Sequence, residues 1–237
     1  MKTDKIVFNL RDSVGYIILN NPLKMNCMGF DLLNELNQAI DRIRTDSTVK
    51  VLVFQGAGDR AFSTGADLKE FNSLSESGLK NWIVLGNELF NKIQMLNRPT
   101  IAFINGYALG GGMELALTCD FRIGTKKAVL GSPELEHGWL PGWGGITRLK
   151  QLVGEVNAKE IVMLNKKLNA EESLKLGLLN RIDNENTDEL NFFTNHLKKL
   201  KPEIFELAKV ALQDHSRTTS GADIQFDVLA TLFSRNI

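Results

Sequence analysis

Three short apolar runs in this chain each stop in a turn of Gly or Asn and then give way to a helical pattern. Residues 14–20 close on Asn20-Asn21-Pro22, residues 51–55 on Gly56 and Gly58, and Thr100–Ile104 on Asn105-Gly106. Short runs with little polar alternation suit strands buried on both faces. Behind two of them come amphipathic stretches. Leu32, Leu33, Leu36, Ala39, Ile40 and Ile43 recur at helical spacing within 30–44, and Leu79, Ile83, Leu89, Phe90, Ile93 and Leu96 within 75–96, which Pro99 ends. Strand, turn and helix in weak repetition predict an α/β fold. Residues 6–10 read as a further strand, 120–124 and 128–131 as short ones, and 144–153 and 156–165 as helices. Past Ile182 a polar segment, 183–188, leads only to helical patterns, near 189–200, 203–213 and 224–234. The expected organisation is an α/β core over 1–184 and a helical C-terminal region over 185–237.

Charge narrows the possible partners. Lys and Arg total 28 against 28 Asp and Glu, so there is no electrostatic footprint for nucleic acid or an anionic membrane. Recognition must be local, in a pocket or at an interface. Hydrophobic residues at 43% over 237 positions are enough for a substantial core and exclude wholesale disorder. Cys27 and Cys119 stand apart, flanked by apolar residues, and are expected as buried free thiols. The opening MKTDKIVFNLRDSV, with Lys5 and Arg11, lacks the apolar stretch of a secretory signal, and no run approaches the ~20 apolar residues of a membrane span. The cytoplasm is the simplest compartment. His137, His196 and His215 have no metal-ligand spacing, so no metal site is expected. Lys198, Lys199 and Lys201 read as a solvated helix end.

Chemistry concentrates in three glycine-rich segments: 61–69, 105–115, and 131–134 with its continuation to 141–145. Gly110-Gly111-Gly112 feeds directly into Met113-Glu114-Leu115-Ala116-Leu117, a good helix former. Bare backbone at a helix start offers unpaired N–H groups to a ligand oxygen, whether phosphate, carboxylate or a developing oxyanion. The spacing matches neither a dinucleotide fingerprint nor a P-loop. A tight strand-to-helix crossing without a ligand is the plain alternative. Glu114 lies in the first turn of that helix among apolar neighbours, and Glu134 follows Pro133 at a strand end, where ligands of α/β folds collect. If both face one pocket, mutual repulsion drives one toward its protonated form, giving an acid and a base together.

Phe62-Ser-Thr-Gly-Ala-Asp-Leu-Lys69, Asn105-Gly-Tyr-Ala-Leu-Gly-Gly-Gly-Met-Glu-Leu115, Ser132-Pro133-Glu134 and Pro141-Gly142-Trp143-Gly144-Gly145, in that order, closely resemble the crotonase superfamily, nearest to its enoyl-CoA hydratases. The resemblance runs from about residue 6 to about 235. It implies a spiral of strand–strand–helix turns with a helical C-terminal region, assembled as trimers or dimers of trimers. It implies an oxyanion hole of two backbone N–H groups, at Ala66 and Gly111, holding the thioester carbonyl of an acyl-CoA. It maps two water-gripping acids onto Glu114, the base, and Glu134, the proton donor to the α-carbon, with the Gly142 N–H helping to hold the water. Substrate contacts are implied at Lys24 and Met25, at Thr64, Gly65, Ala66, Asp67 and Leu68, and at Gly110, Gly111, Pro133 and Trp143. No metal or redox cofactor is implied.

The expected function is therefore reversible addition of water to a trans-2-enoyl-CoA thioester. The alternatives are an isomerase, a decarboxylase or a carrier-protein-dependent dehydratase of the same superfamily, the last taking an acyl carrier protein as partner. A binding scaffold on a decayed enzyme frame is a third reading, which two retained acids argue against. There are departures from the family pattern. Asn21-Pro22 stands for the usual Arg-Pro, Trp143 replaces a smaller residue, and the chain ends at Leu232-Phe-Ser-Arg-Asn-Ile237, before the family's closing helix. The last departure leads us to expect weaker cover of CoA and altered hexamer packing.

Overall fold

The computed structural model describes residues 4–213 apart from 185. A hairpin opens the chain, β1 (Ile6–Arg11) against β2 (Val14–Leu19), and α1 (Phe30–Thr45) follows. Three similar turns come next. The first is β3 (Val51–Gly56), β4 (Ala61–Ser63), α2 (Leu68–Phe71) and α3 (Glu76–Gln94). The second is β5 (Thr100–Ile104), β6 (Tyr107–Leu109) and α4 (Gly111–Thr118). The third is β7 (Phe121–Thr125), β8 (Val129–Gly131), a 3-10 turn at Glu134–His137 and α5 (Gly145–Met163). Then come β9 (Leu168–Asn169), α6 (Ala170–Lys175), β10 (Arg181–Asp183), α7 (Asp188–Leu197) and α8 (Pro202–Gln213).

Each turn gives its first strand to one sheet and its second to another. The larger sheet runs β1-β2-β3-β5-β7-β10, parallel beyond the opening hairpin, and the smaller runs β4-β6-β8-β9, parallel except for β9. The apolar runs of β3 and β5 lack polar alternation because both faces of the large sheet are covered. Leu52, Phe54, Ala102 and Ile104 point into the main core with α1 and α3. Val51, Val53, Ile101 and Phe103 point the other way, against Leu190 and Leu197 of α7. Thus α7, although it follows the polar segment, packs on the sheet. The compact unit that contains it ends at Lys198, and α8 belongs to a second unit beginning at Lys199.

Most expected elements stand within a residue or two of their sequence positions. Ser75 caps α3, its side-chain oxygen accepting from Gly78 N at 3.2 Å. The two helices expected at 144–153 and 156–165 form one element with a break at Gly154, where φ is 76° and ψ 166°. The second strands of the first two turns, β4 and β6, did not show in the sequence: at three residues each, neither is long enough to show a period. The helical pattern at 224–234 lies outside the described residues. Cys27 and Cys119 are both buried thiols that form no disulfide, as expected. Among the described residues, no helix is long and apolar enough to cross a membrane.

The loop between β2 and α1 is anchored by a buried amide. Asn26, with φ 55°, accepts from Asn21 N at 3.0 Å and donates from Nδ2 to Ala57 O (3.0 Å) and Ala61 O (2.8 Å). Its own carbonyl accepts from Ser63 Oγ at 2.8 Å, which sets the exit of β4. Asn26→Ala strands these buried partners and puts an alanine in the left-handed region. It should lower unfolding stability by ~2–4 kcal/mol, read as a fall in the urea midpoint at constant m-value. Asn26→Gly removes the hydrogen bonds without the backbone strain, and should recover ~1 kcal/mol of that loss.

Candidate functional site

The carboxyl ends of β4, β6 and β8 lie side by side, because the three strands are parallel neighbours. Each of the glycine-rich segments runs through or past one of those ends. A cavity of about 640 Å³ opens there, lined by Thr64, Ala66 and Leu68 from the first segment and by Gly110, Gly111 and Glu114 from the second. The third contributes Pro133, Glu134, Gly142 and Trp143, and Met25 joins them from the β2–α1 loop. Three residues expected at the site lie beside this lining. Lys24 pairs with Asp67 at 2.6 Å, Asp67 also caps α2, and Gly65 sits behind Ala66. With Asp67 as its partner, Lys24 is engaged within the fold.

Two residues that line the cavity, Ala66 and Gly111, have backbone N–H groups left outside the local hydrogen-bond ladders for different reasons. Gly111 is the first residue of α4, and the first N–H groups of a helix have no acceptor within it. Ala66 bridges Met28 in parallel fashion. Met28 N donates to Gly65 O (2.7 Å) and Asp67 N donates to Met28 O (3.1 Å), so the Ala66 N–H lies on the opposite edge of its segment. Gly65 allows the two to approach. Its φ is +86°, and a Cβ there would lie 2.7 Å from the Gly111 nitrogen. A side chain at that position would drive the segments apart.

Glu114 is 4% exposed, on a helix whose residues are all buried. Its Oε1 accepts from Trp143 N and Gly145 N, both at 2.8 Å. Burial, and then the charge of Glu134, push its carboxyl up to about 7, while the two N–H groups and Arg148 act against that rise. Gly145 is required by this contact, since a Cβ there would fall 2.5 Å from Glu114 Cγ. Glu134 is raised from its ordinary value by burial, opposed by a hydrogen bond from Ser132 Oγ to its Oε2 at 2.7 Å. Its Oε1 is buried with no hydrogen-bond partner among the described residues, next to Gly110. Two acids with raised pKa thus face one cavity, and Glu134 Oε1 is buried there without a hydrogen bond among the described residues.

The cavity wall was only partly readable beforehand. Trp143 both packs and lines: it is 1% exposed, lies against bare backbone at Gly86 and Gly111, and borders the cavity. It belongs to a row of rings that also includes Trp139, Phe71, Trp82 and Phe90, with successive centroids 3.8 to 5.1 Å apart. Trp82 and Trp139 come from elements far apart in sequence, so spacing gave no sign of them. Arg148 was also missed, although a charged residue inside the buried stripe of α5 was a usable signal. His137 lines the cavity mouth near Trp139, His196 sits on α7 against Phe192, and His215 lies outside the described residues. Among the described residues no group of His, Cys, Asp and Glu could hold a metal ion. Lys198 binds Asp12, whereas nothing about Lys199 or Lys201 bears on the site.

Comparison with known proteins finds relatives of this chain. The family described as enoyl-CoA hydratase/isomerase matches residues 9–235. A short-chain-enoyl-CoA hydratase of Clostridium acetobutylicum is 35% identical over 182 residues, 77% of this chain and 70% of that protein. The mouse protein named enoyl-CoA hydratase domain-containing protein 2, mitochondrial, is 37% identical over 197 residues, 83% of this chain and 66% of its own length. The crystal structure of enoyl-CoA hydratase from Bacillus anthracis superposes with a TM-score of 0.89 at 30% identity, covering 96% of this chain and 89% of that one. An acyl-CoA is the substrate that such kinship implies. The fold is that of the crotonases, and the chain belongs to the enoyl-CoA hydratase/isomerase family.

Proposed function

We propose that this chain is an enoyl-CoA hydratase, adding water reversibly across the 2,3 double bond of a trans-2-enoyl-CoA. The observation that carries the reading is the pair of buried carboxyls, Glu114 and Glu134, facing one cavity beside the Ala66 and Gly111 amides. The thioester oxygen sits between those two N–H groups, and its negative charge grows as the β-carbon is attacked. Each preorganised donor contributes ~3–4 kcal/mol to the transition state. Glu114 takes a proton from the water whose hydroxide adds at the β-carbon, and a base near pKa 7 suits that task at neutral pH. Glu134 gives its proton to the α-carbon from the unengaged Oε1, and the proton held by Glu114 restores it, so one water is consumed overall. The Gly142 N–H helps to hold that water.

Moving a double bond along the chain needs one group that lifts and returns a proton, so the second carboxyl favours hydration over isomerisation. Decarboxylation and dehydration on a carrier protein remain the alternative chemistries for the same hole. The assembly that fits the family is a trimer or dimer of trimers. Two buried, reduced thiols fit a reducing compartment such as the cytoplasm, although a relative carries a mitochondrial name.

Incubated with crotonyl-CoA, the chain should abolish the absorbance of the conjugated thioester and yield a product heavier by one water. Glu114→Gln and Glu134→Gln should each lower kcat ~10²–10⁴-fold with KM changed only a few-fold. Equal turnover by wild type and Glu114→Gln ends the assignment, and an isomerised enoyl product of unchanged mass would establish the alternative. Enoyl-CoAs of graded length in the same mass assay give the acyl preference.

Stability should depend on pH through Glu114. Its folded pKa of about 7 lies above the ordinary 4.5, so the folded chain binds the proton more tightly than the unfolded one. That contribution is complete below the ordinary value and is lost as pH rises through the folded one. Relative to Glu114→Gln, in which Glu134 still titrates, wild type should lose up to ~3 kcal/mol between these limits, measured by urea unfolding across pH. A pH-independent difference would show that Glu114 is not held in this environment.

A further inference from the structure

The turn at 142–145 gives Glu114 two hydrogen bonds, and the same turn is held from its other side. Asn87 of α3 donates from Nδ2 to Gly142 O. In a trans peptide the carbonyl and the N–H point in opposite directions. A hold on Gly142 O therefore turns the Trp143 N–H away from α3, toward Glu114 Oε1, 2.8 Å away. The next peptide is held too: Arg148 Nη1 donates to Trp143 O at 2.6 Å. The rest of the guanidinium is tied back to α3, through Nη2 to Asn91 Oδ1 (2.6 Å) and Nε to Gln94 Oε1 (2.7 Å). Asn87, Asn91 and Gln94 recur at helical spacing, so one polar stripe of α3 faces the turn. Arg148 is 6% exposed, and its guanidinium packs against bare backbone at Gly144.

We propose that Asn87 and Arg148 are positioning residues for Glu114, clamping consecutive peptides of the 142–145 turn so that the Trp143 and Gly145 N–H groups converge on Oε1. Neither belongs to the oxyanion hole or the acid pair. The clamp decides how the acid is held and how readily it ionises. The charged groups facing Glu114 are Glu134 from the 3-10 turn and Arg148 from α5. The facing side chains of α3 are neutral, and His137 acts on Glu134. Loss of a backbone N–H from a carboxylate, or of a nearby cation, raises its pKa.

The clamp is tested without substrate by ¹³C NMR titration of the glutamate carboxyls, the Glu114 signal being the one lost in Glu114→Gln. Asn87→Leu and Arg148→Gln should each move that titration upward by on the order of one unit. Arg148→Lys, which keeps the cation and loses the fork, should fall between Arg148→Gln and wild type. In the kinetic arm, which rests on the hydratase reading, the same variants should lower kcat ~10-fold at similar KM and shift the acid limb of kcat/KM in the same direction. Folded Asn87→Leu and Arg148→Gln with the wild-type titration would overturn the proposal. If the arginine variants do not fold, Asn87→Leu decides, and a wild-type titration in it is enough to reject the clamp. Absence of turnover by wild type on every enoyl-CoA would sink the hydratase reading while leaving the carboxyl titration to judge the clamp.

Discussion

A carboxyl group sits inside an apolar helix at Glu114, with two backbone N–H groups on one of its oxygens. Without those donors, the charged form would carry a large desolvation cost and the group would stay neutral. The contact joins the second turn of the spiral, which supplies α4, to the third, which supplies the 142–145 turn. The first turn enters through α3, whose amides hold the far side of that turn. All three turns of the spiral therefore meet at one acid, and an error in any of them reaches the site.

The same economy explains the glycines. Backbone approaches backbone at Gly65, the Trp143 ring approaches backbone at Gly111, and a carboxylate approaches backbone at Gly145, at distances no side chain permits. Gly65 and Gly111 lie just past the ends of the short strands β4 and β6, and Gly145 opens α5. Parallel strands in register bring those ends to one edge, and the unpaired N–H groups collect there. Four rings of the aromatic row, Trp139, Phe71, Trp82 and Trp143, line the same cavity as those ends. Trp143 fills space between α3 and α4 while bordering the cavity.

The sequence was most legible where one element carries its own signal. The stripe from Leu32 to Ile43 and the apolar run of β3 follow from period and burial, and each appears in the structure with small changes at its ends. Glu114 and Glu134 stood out as carboxyls beside glycine-rich turns. β4 and β6 did not stand out, because three residues cannot show alternation. Nor did Asn87: a single amide on a helix looks solvated until the turn it holds is brought beside it. The pairing of Lys24 with Asp67 was likewise invisible, since 43 residues separate partners that only the spiral brings together.

Local chemistry in the chain determined the α/β class, the glycine-rich segments, the two acids and the balance of charge, because period, backbone freedom and ionisability belong to residues and their near neighbours. Tertiary structure alone decided that both acids share a cavity, that the Ala66 and Gly111 amides adjoin it, and that Arg148 and Asn87 brace the turn on Glu114. Those facts depend on distances between segments far apart in sequence, which are set by strand register and by helices packing over both sheets.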